Sequence, residues 1–137
     1  MIRELVHDPF LLAMKSTPAT REDLGVVQDL LDTLTHHADT CVGMAANMIG
    51  IHKRIIVFFD DGKLSAMLNP EILKAEGEYE TEEGCPSLLG GPRKTKRYQK
   101  IKVRWQTKAL QTRIKTYTGW TAQILQHEID HCNGILI

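Results

Sequence analysis

The stretch GWTAQILQHEIDHC, Gly119 to Cys132, governs how the rest of the chain is read. It reads as a clear helix, with Asn133-Gly134 behind it as a C-terminal stop. Inside it, His127-Glu128-Ile129-Asp130-His131 has HExxH spacing. Residues i and i+4 share one helical face, so both imidazoles can bind a single metal ion. Glu128 is turned from His127 by about 100°. It need not be a ligand, and its carboxylate can serve as general base toward a water activated at that metal. A catalytic zinc or iron site requires a third protein ligand and keeps a fourth position open.

Several residues compete for that third place. Cys132 directly follows His131 and points about 100° away on the helix, so it reads as a small buried apolar residue. Cys85 lies in Glu82-Glu83-Gly84-Cys85-Pro86-Ser87, a tight segment after a strand, which is a good place to present a thiolate. Cys41 could also serve, although its neighbours read as packing. His36 and His37 end the first helix, where a cation interacts favourably with the dipole.

Outward from the metal helix, Thr20-Arg21-Glu22-Asp23 resembles a capping box, with Asp in place of Glu. Leu24, Val27, Leu30, Leu31 and Leu34 then fall on one face, predicting an amphipathic helix over 21–37. Thr40 to Gly50 is rich in small residues and reads as close-packed irregular or extended chain. Arg54 to Phe59 is β-branched and aromatic, a buried strand. Asp61-Gly62 turns it into a hairpin with Leu64–Leu68, and Asn69-Pro70 interrupts that second strand. Ile101, Val103 and Trp105 alternate with Lys100, Lys102 and Arg104, another strand, with Leu110 to Tyr117 as its partner. The expected fold is α+β: short antiparallel strands packed around the C-terminal helix, plus the N-terminal amphipathic helix.

Composition narrows the function. At 137 residues the expectation is one domain, 1–137. The formal net charge is zero, so no field points to nucleic acid or an anionic membrane. The run Arg93-Lys94-Thr95-Lys96-Arg97 is expected to be mostly solvated loop, with one Arg free to face a ligand. Three cysteines without paired spacing favour a reducing compartment. With neither a signal core nor an apolar run of membrane length, the expected location is cytoplasmic.

The motifs together resemble the peptide deformylases, which remove the formyl group from the initiating formyl-methionine of new bacterial polypeptides. Val42-Gly43-Met44-Ala45-Ala46-Asn47-Met48-Ile49-Gly50, running on into His52-Lys53-Arg54-Ile55-Ile56-Val57, is similar to the family's first motif. Glu83-Gly84-Cys85-Pro86-Ser87 is similar to the second, and Gln126-His127-Glu128-Ile129-Asp130-His131 to the third. Leu68-Asn69-Pro70-Glu71-Ile72 matches a further family segment. The resemblance implies Cys85 as third ligand, iron(II) as the natural metal, and zinc, nickel or cobalt as replacements. It implies the N-terminus of a nascent formylated polypeptide as partner, with no direct contact to nucleic acid or membrane. Ribosome association is not readable.

The resemblance also implies two donors for the developing oxyanion, a Gln side chain and the backbone N–H after the ligand Cys. Here those positions are Met48 and Pro86, and neither can donate. One such loss costs roughly 10²–10³ in rate. Cys41, Met44 and Gln123 are further departures, and the sequence stops at Ile137 without the longer C-terminal segment of many members. By carry-over, Val42 and Gly43 match the strand that pairs with the peptide. Arg97 matches an Arg near the peptide exit side, against the plainer reading of a solvated strand-edge charge. The expected function is a metal-dependent deformylase of reduced or altered activity. The alternative is an impaired paralogue that binds peptides and keeps the metal.

Overall fold

A computed structural model describes residues 1–85 and 87–137. The Thr20 capping box forms: Asp23 Oδ2 accepts from Thr20 N at 2.8 Å, and Thr20 Oγ1 accepts from Glu22 N at 3.3 Å. It starts a short 3-10 turn, Arg21–Asp23, that leads into helix α2, Leu24–His36; the one-turn helix α1, Pro9–Leu12, precedes both. The helix expected over 21–37 is therefore α-helical only from Leu24.

Five strands follow in an antiparallel sheet of order β1-β2-β3-β4-β5, so sequence neighbours are spatial neighbours. They are β1 Gly43–Ala45, β2 Ile55–Asp60, β3 Lys63–Cys85, β4 Leu88–Gln106 and β5 Thr112–Thr118. The small-residue segment is thus strand β1 followed by a 3-10 turn, Ala46–Ile49. At the β2–β3 hairpin both Asp61 (φ 50°) and Gly62 (φ 83°) are left-handed, as a two-residue turn of matching twist requires.

Strands β1, β2 and β5 are short, whereas β3 and β4 are long. Asn69-Pro70 does not end β3. Its register skips from Leu68↔Gln106 to Glu71↔Arg104, a bulge where proline's missing N–H leaves no gap in the ladder. Asn69, at φ 52°, anchors the bulge by accepting from Ala19 N at 2.7 Å and donating to Gln106 Oε1 at 2.7 Å. The basic run 93–97, expected as loop, lies inside β4, with Lys94 and Lys96 exposed and Arg97 buried.

Period-two alternation divides β2 between two cores. Ile55 and Val57 pack with Val27, Leu30 and Leu34 of α2; Ile56 and Phe58 pack with Ile101, Val103, Leu125 and Ile129. The last two belong to helix α3, Gly119–Cys132, which crosses the opposite face of the sheet from α2. Cys132 is buried in this second core, and burial pushes its thiol up to about 12, as befits an apolar packing residue. Gly134 (φ 74°) ends α3 where the chain meets the N-terminal segment: a Cβ there would lie 2.3 Å from Ala13 O. Among the described residues, no helix is long and apolar enough to cross a membrane.

Candidate active site

Cys85 ends β3, while His127 and His131 lie one turn apart on α3. Their candidate donor atoms, one sulfur and two imidazole nitrogens, lie within 4.8 Å of one another. Each imidazole is held from behind by an oxygen. His127 Nδ1 meets Glu83 Oε1 at 2.8 Å, and His131 Nε2 meets the Ile137 carbonyl at 3.1 Å. Such outer partners orient a histidine and fix its tautomer. Among the described residues, His131 Nδ1 is buried without a hydrogen-bond partner, and so is Glu128 Oε1, 3.3 Å away. Unpartnered buried polar atoms need an explanation. A thiolate, two oriented imidazoles and a spare carboxylate suit a divalent ion of the iron, zinc, nickel or cobalt kind.

The three groups are electrostatically coupled. Burial alone would raise the Cys85 thiol, yet the neighbouring His127 and His131 imidazoles bring it down to about 6, the thiolate form that a metal ligand needs. Burial likewise opposes a charged His127, but Cys85 and Glu83 outweigh it and lift the imidazole to about 9. His131 is also raised, with Cys85 and Glu128 overcoming burial.

Cys85 and His127 open onto a cavity of about 220 Å³ whose walls also include Val42, Gly43, Met48 and Glu128, while His131 faces the space behind it. Gly43 has to be glycine for packing reasons. A Cβ there would lie 2.8 Å from Glu128 Oε2 and 2.9 Å from Ile124 Cγ2. Its neighbour Val42 is exposed at 41%. Met48 is 1% exposed, and its Sδ accepts from Ala45 N at 3.5 Å, so it brings no donor to the cavity. Asn47 is turned behind the site, donating to His131 O at 3.0 Å and Leu12 O at 3.3 Å. Buried Ser87 borders the same rear space. Pro86, expected beside the oxyanion, lies outside the described residues.

Arg97 is not the solvated strand-edge charge that its basic neighbours suggest. It is 4% exposed and lies behind the site. Its guanidinium forks onto Glu83 (Nη2–Oε1 2.7 Å, Nε–Oε2 3.0 Å) and reaches Asp130 Oδ2 at 2.6 Å. Gln123 Nε2 adds a bond to Glu83 Oε2 at 2.9 Å. Burial would raise the Glu83 carboxyl, but His127, Arg97 and Gln123 together hold it down to about 2. Glu83 is therefore a charged strut between Arg97 and His127. The sequence held one clue to it: residues two apart on a strand share a face, so Glu83 follows Cys85 inward.

The description "Polypeptide deformylase" belongs to the family model that matches residues 4–137. The peptide deformylase of Clostridium beijerinckii is 49% identical over the whole of both chains. That of Heliobacterium modesticaldum is 40% identical over 94% of this chain and 85% of its own. The crystal structure of a peptide deformylase from Legionella pneumophila superposes with a TM-score of 0.90 at 34% identity, covering 99% of this chain and 83% of that one. The Thermotoga maritima peptide deformylase gives 0.89 at 29%, covering 99% and 95%. Since the match takes in full-length relatives and the fold as well as the motifs, the chain belongs to the polypeptide deformylase family.

Proposed function

We propose that the chain hydrolyses the N-formyl group of formyl-methionyl peptides at the start of nascent polypeptides. In this reading Cys85, His127 and His131 hold one divalent metal, natively iron(II), and Glu128 carries the proton. The observation behind it is the convergence of the three donor side chains on one another beside a cavity lined by Cys85, His127 and Glu128, with a Glu128 carboxylate oxygen buried and, among the described residues, unpartnered. A bound metal supplies Lewis-acid activation of water and of the formyl oxygen.

The chain's own groups do the rest. Glu128 removes a proton from the attacking water and returns it to the leaving amine, so formamide and water become formate and a free amino terminus. Gly43 leaves room for that carboxylate. It also lies on β1, an edge strand. Val42 O is taken by Phe59 N at 3.0 Å, so by alternation the N–H and C=O of Gly43 face the open edge. An extended peptide can add there as a further strand. Glu83, with Arg97 behind it, keeps His127 Nδ1 occupied and the ring aimed. The place of action follows from the substrate and is cytoplasmic.

Met48 supports a slow enzyme, because its thioether is an acceptor already engaged with Ala45 N. The same residue favours the second reading, a metal-containing peptide-binding paralogue. Formate release from a formyl-Met peptide separates the two readings, using iron(II)-loaded protein with oxygen excluded. Release above the metal-free control is expected, and none would sink the enzymatic reading. The paralogue reading requires Met48→Gln with Pro86→Leu to create turnover that the parent lacks.

A further inference from the structure

Asn47 is 2% exposed in the 3-10 turn Ala46–Ile49 and carries a carboxamide into the interior. Successive side chains of such a turn point about 120° apart. Met48 lines the cavity, and Asn47 borders the space behind it together with Leu12, Cys85 and His131. There its Nδ2 donates twice, to His131 O at 3.0 Å and to Leu12 O at 3.3 Å. Both partners are carbonyl oxygens, so the nitrogen must face them and the amide has one orientation. Its Oδ1 is buried and, among the described residues, has no partner. A buried acceptor without a partner is costly, so the two donated bonds are what keep the amide there.

Those two carbonyls belong to distant parts of the chain. Leu12 ends α1, and His131 lies in the last turn of α3, where carbonyls have no helical N–H to accept. The His131 carbonyl takes Gly134 N at 3.0 Å as well as Asn47. Its ring meets the Ile137 carbonyl, so backbone and imidazole are gripped separately. Cys85 arrives on β3, independently of α3. Metal–ligand distances tolerate only about 0.2 Å. A small slide or rotation of α3 past the 46–49 turn would therefore spoil the convergence of the donors, and Asn47 ties that turn to α3 at His131 itself.

We propose that Asn47 is a positioning residue: its carboxamide holds His131 in register with Cys85, so that affinity for the divalent metal depends on a side chain outside the donor set. The chemistry asks for an amide. Aspartate has the same shape but sets a carboxylate against two carbonyl oxygens at the negative end of the α3 dipole. Leucine fills the space and donates nothing. This inference rests on the reading of Cys85, His127 and His131 as metal ligands.

The test measures metal binding rather than turnover. Zinc affinity is read by competition with a chromophoric chelator, on folded protein well below its melting temperature. The cobalt(II) absorption spectrum is recorded for the same variants. Asn47→Asp and Asn47→Leu should each weaken zinc by about tenfold or more, the order of losing a partner behind a ligand. Their cobalt forms should keep the thiolate charge-transfer absorption of Cys85 while the ligand-field bands shift. Val27→Ala is the control for a merely structural effect, because Val27 is buried under α2 in the other core. It should lower the melting temperature and bind zinc as the parent does. Parent-like zinc affinity and cobalt spectrum in Asn47→Leu would overturn the proposal, and so would an equal loss of affinity in Val27→Ala. If Asn47→Asp does not fold, Asn47→Leu decides. A parent that binds no stoichiometric zinc would sink the ligand reading, whereas tight binding by the parent and by both variants would sink this inference alone.

Discussion

Replacing Gly43 by alanine adds one methyl group where β1 passes closest to α3. The new Cβ would lie 2.8 Å from Glu128 Oε2, 2.9 Å from Ile124 Cγ2 and 3.1 Å from Glu128 Cγ. Such atoms prefer about 3.5 Å or more, so something must move by roughly half an ångström. Turning one side chain does not relieve the contact, because two residues of one packed helix are involved. The backbone of Gly43 is not left-handed, so the cost is purely steric. Overpacking of this kind costs about 1–3 kcal/mol of stability. The larger effect falls on Glu128, because misplacing a catalytic group by about 1 Å loses on the order of 10² in rate. A fall in kcat of about 10- to 100-fold is expected, with metal content unchanged, since the atoms the new methyl crowds most belong to Glu128 and Ile124 rather than to the donor residues. Formate release and elemental analysis on the same preparation measure both. A Gly43→Ala protein that keeps the parent kcat would refute the placement of Glu128 against β1. A protein that instead loses its metal would show that the damage lies in the ligands.

Arg97→Ala should destabilise the metal-free protein by about 3–5 kcal/mol in urea unfolding, because it strands the buried Glu83 carboxylate. Arg97→Lys should recover only part, since an ammonium cannot fork onto two oxygens. Met48→Gln should raise kcat by about tenfold or more, since it supplies a missing oxyanion donor. An unchanged formate-release rate would mean the donor is not missing. The pH dependence follows from Glu83, held at about 2 in the fold against an ordinary 4.5. A depressed carboxyl stabilises fully above its unfolded value, and that contribution is lost as pH falls from about 4.5 toward 2. The melting temperature of metal-free protein should drop across that window, and Glu83→Gln should flatten the drop.

Local chemistry accounts for what was legible in the sequence. HExxH on α3, the Thr20 capping box, the alternation of Ile101, Val103 and Trp105, and the Asp61-Gly62 turn each depend on neighbours within a few residues. Strand β3 beyond Asn69-Pro70 was not legible, because proline normally ends a strand. The bulge that rescues it depends on partners at Ala19 and Gln106. Arg97 was misread for the same reason. In a run of basic residues it looked solvated, yet its partners Glu83 and Asp130 lie 14 and 33 positions away. Gln123 looked like a polar intrusion until the structure turned its carboxamide onto Glu83 and Tyr79.

The central claim is that Glu128 carries the proton beside the Cys85, His127 and His131 donor set. Glu128→Gln tests it most directly, because the amide keeps the shape but cannot take a proton. Formate release from a formyl-Met peptide is measured for iron(II)-loaded parent and variant at equal metal content. The account predicts release by the parent and a loss of about 10²–10⁴-fold in the variant with the metal retained. Equal rates from the two proteins would contradict it.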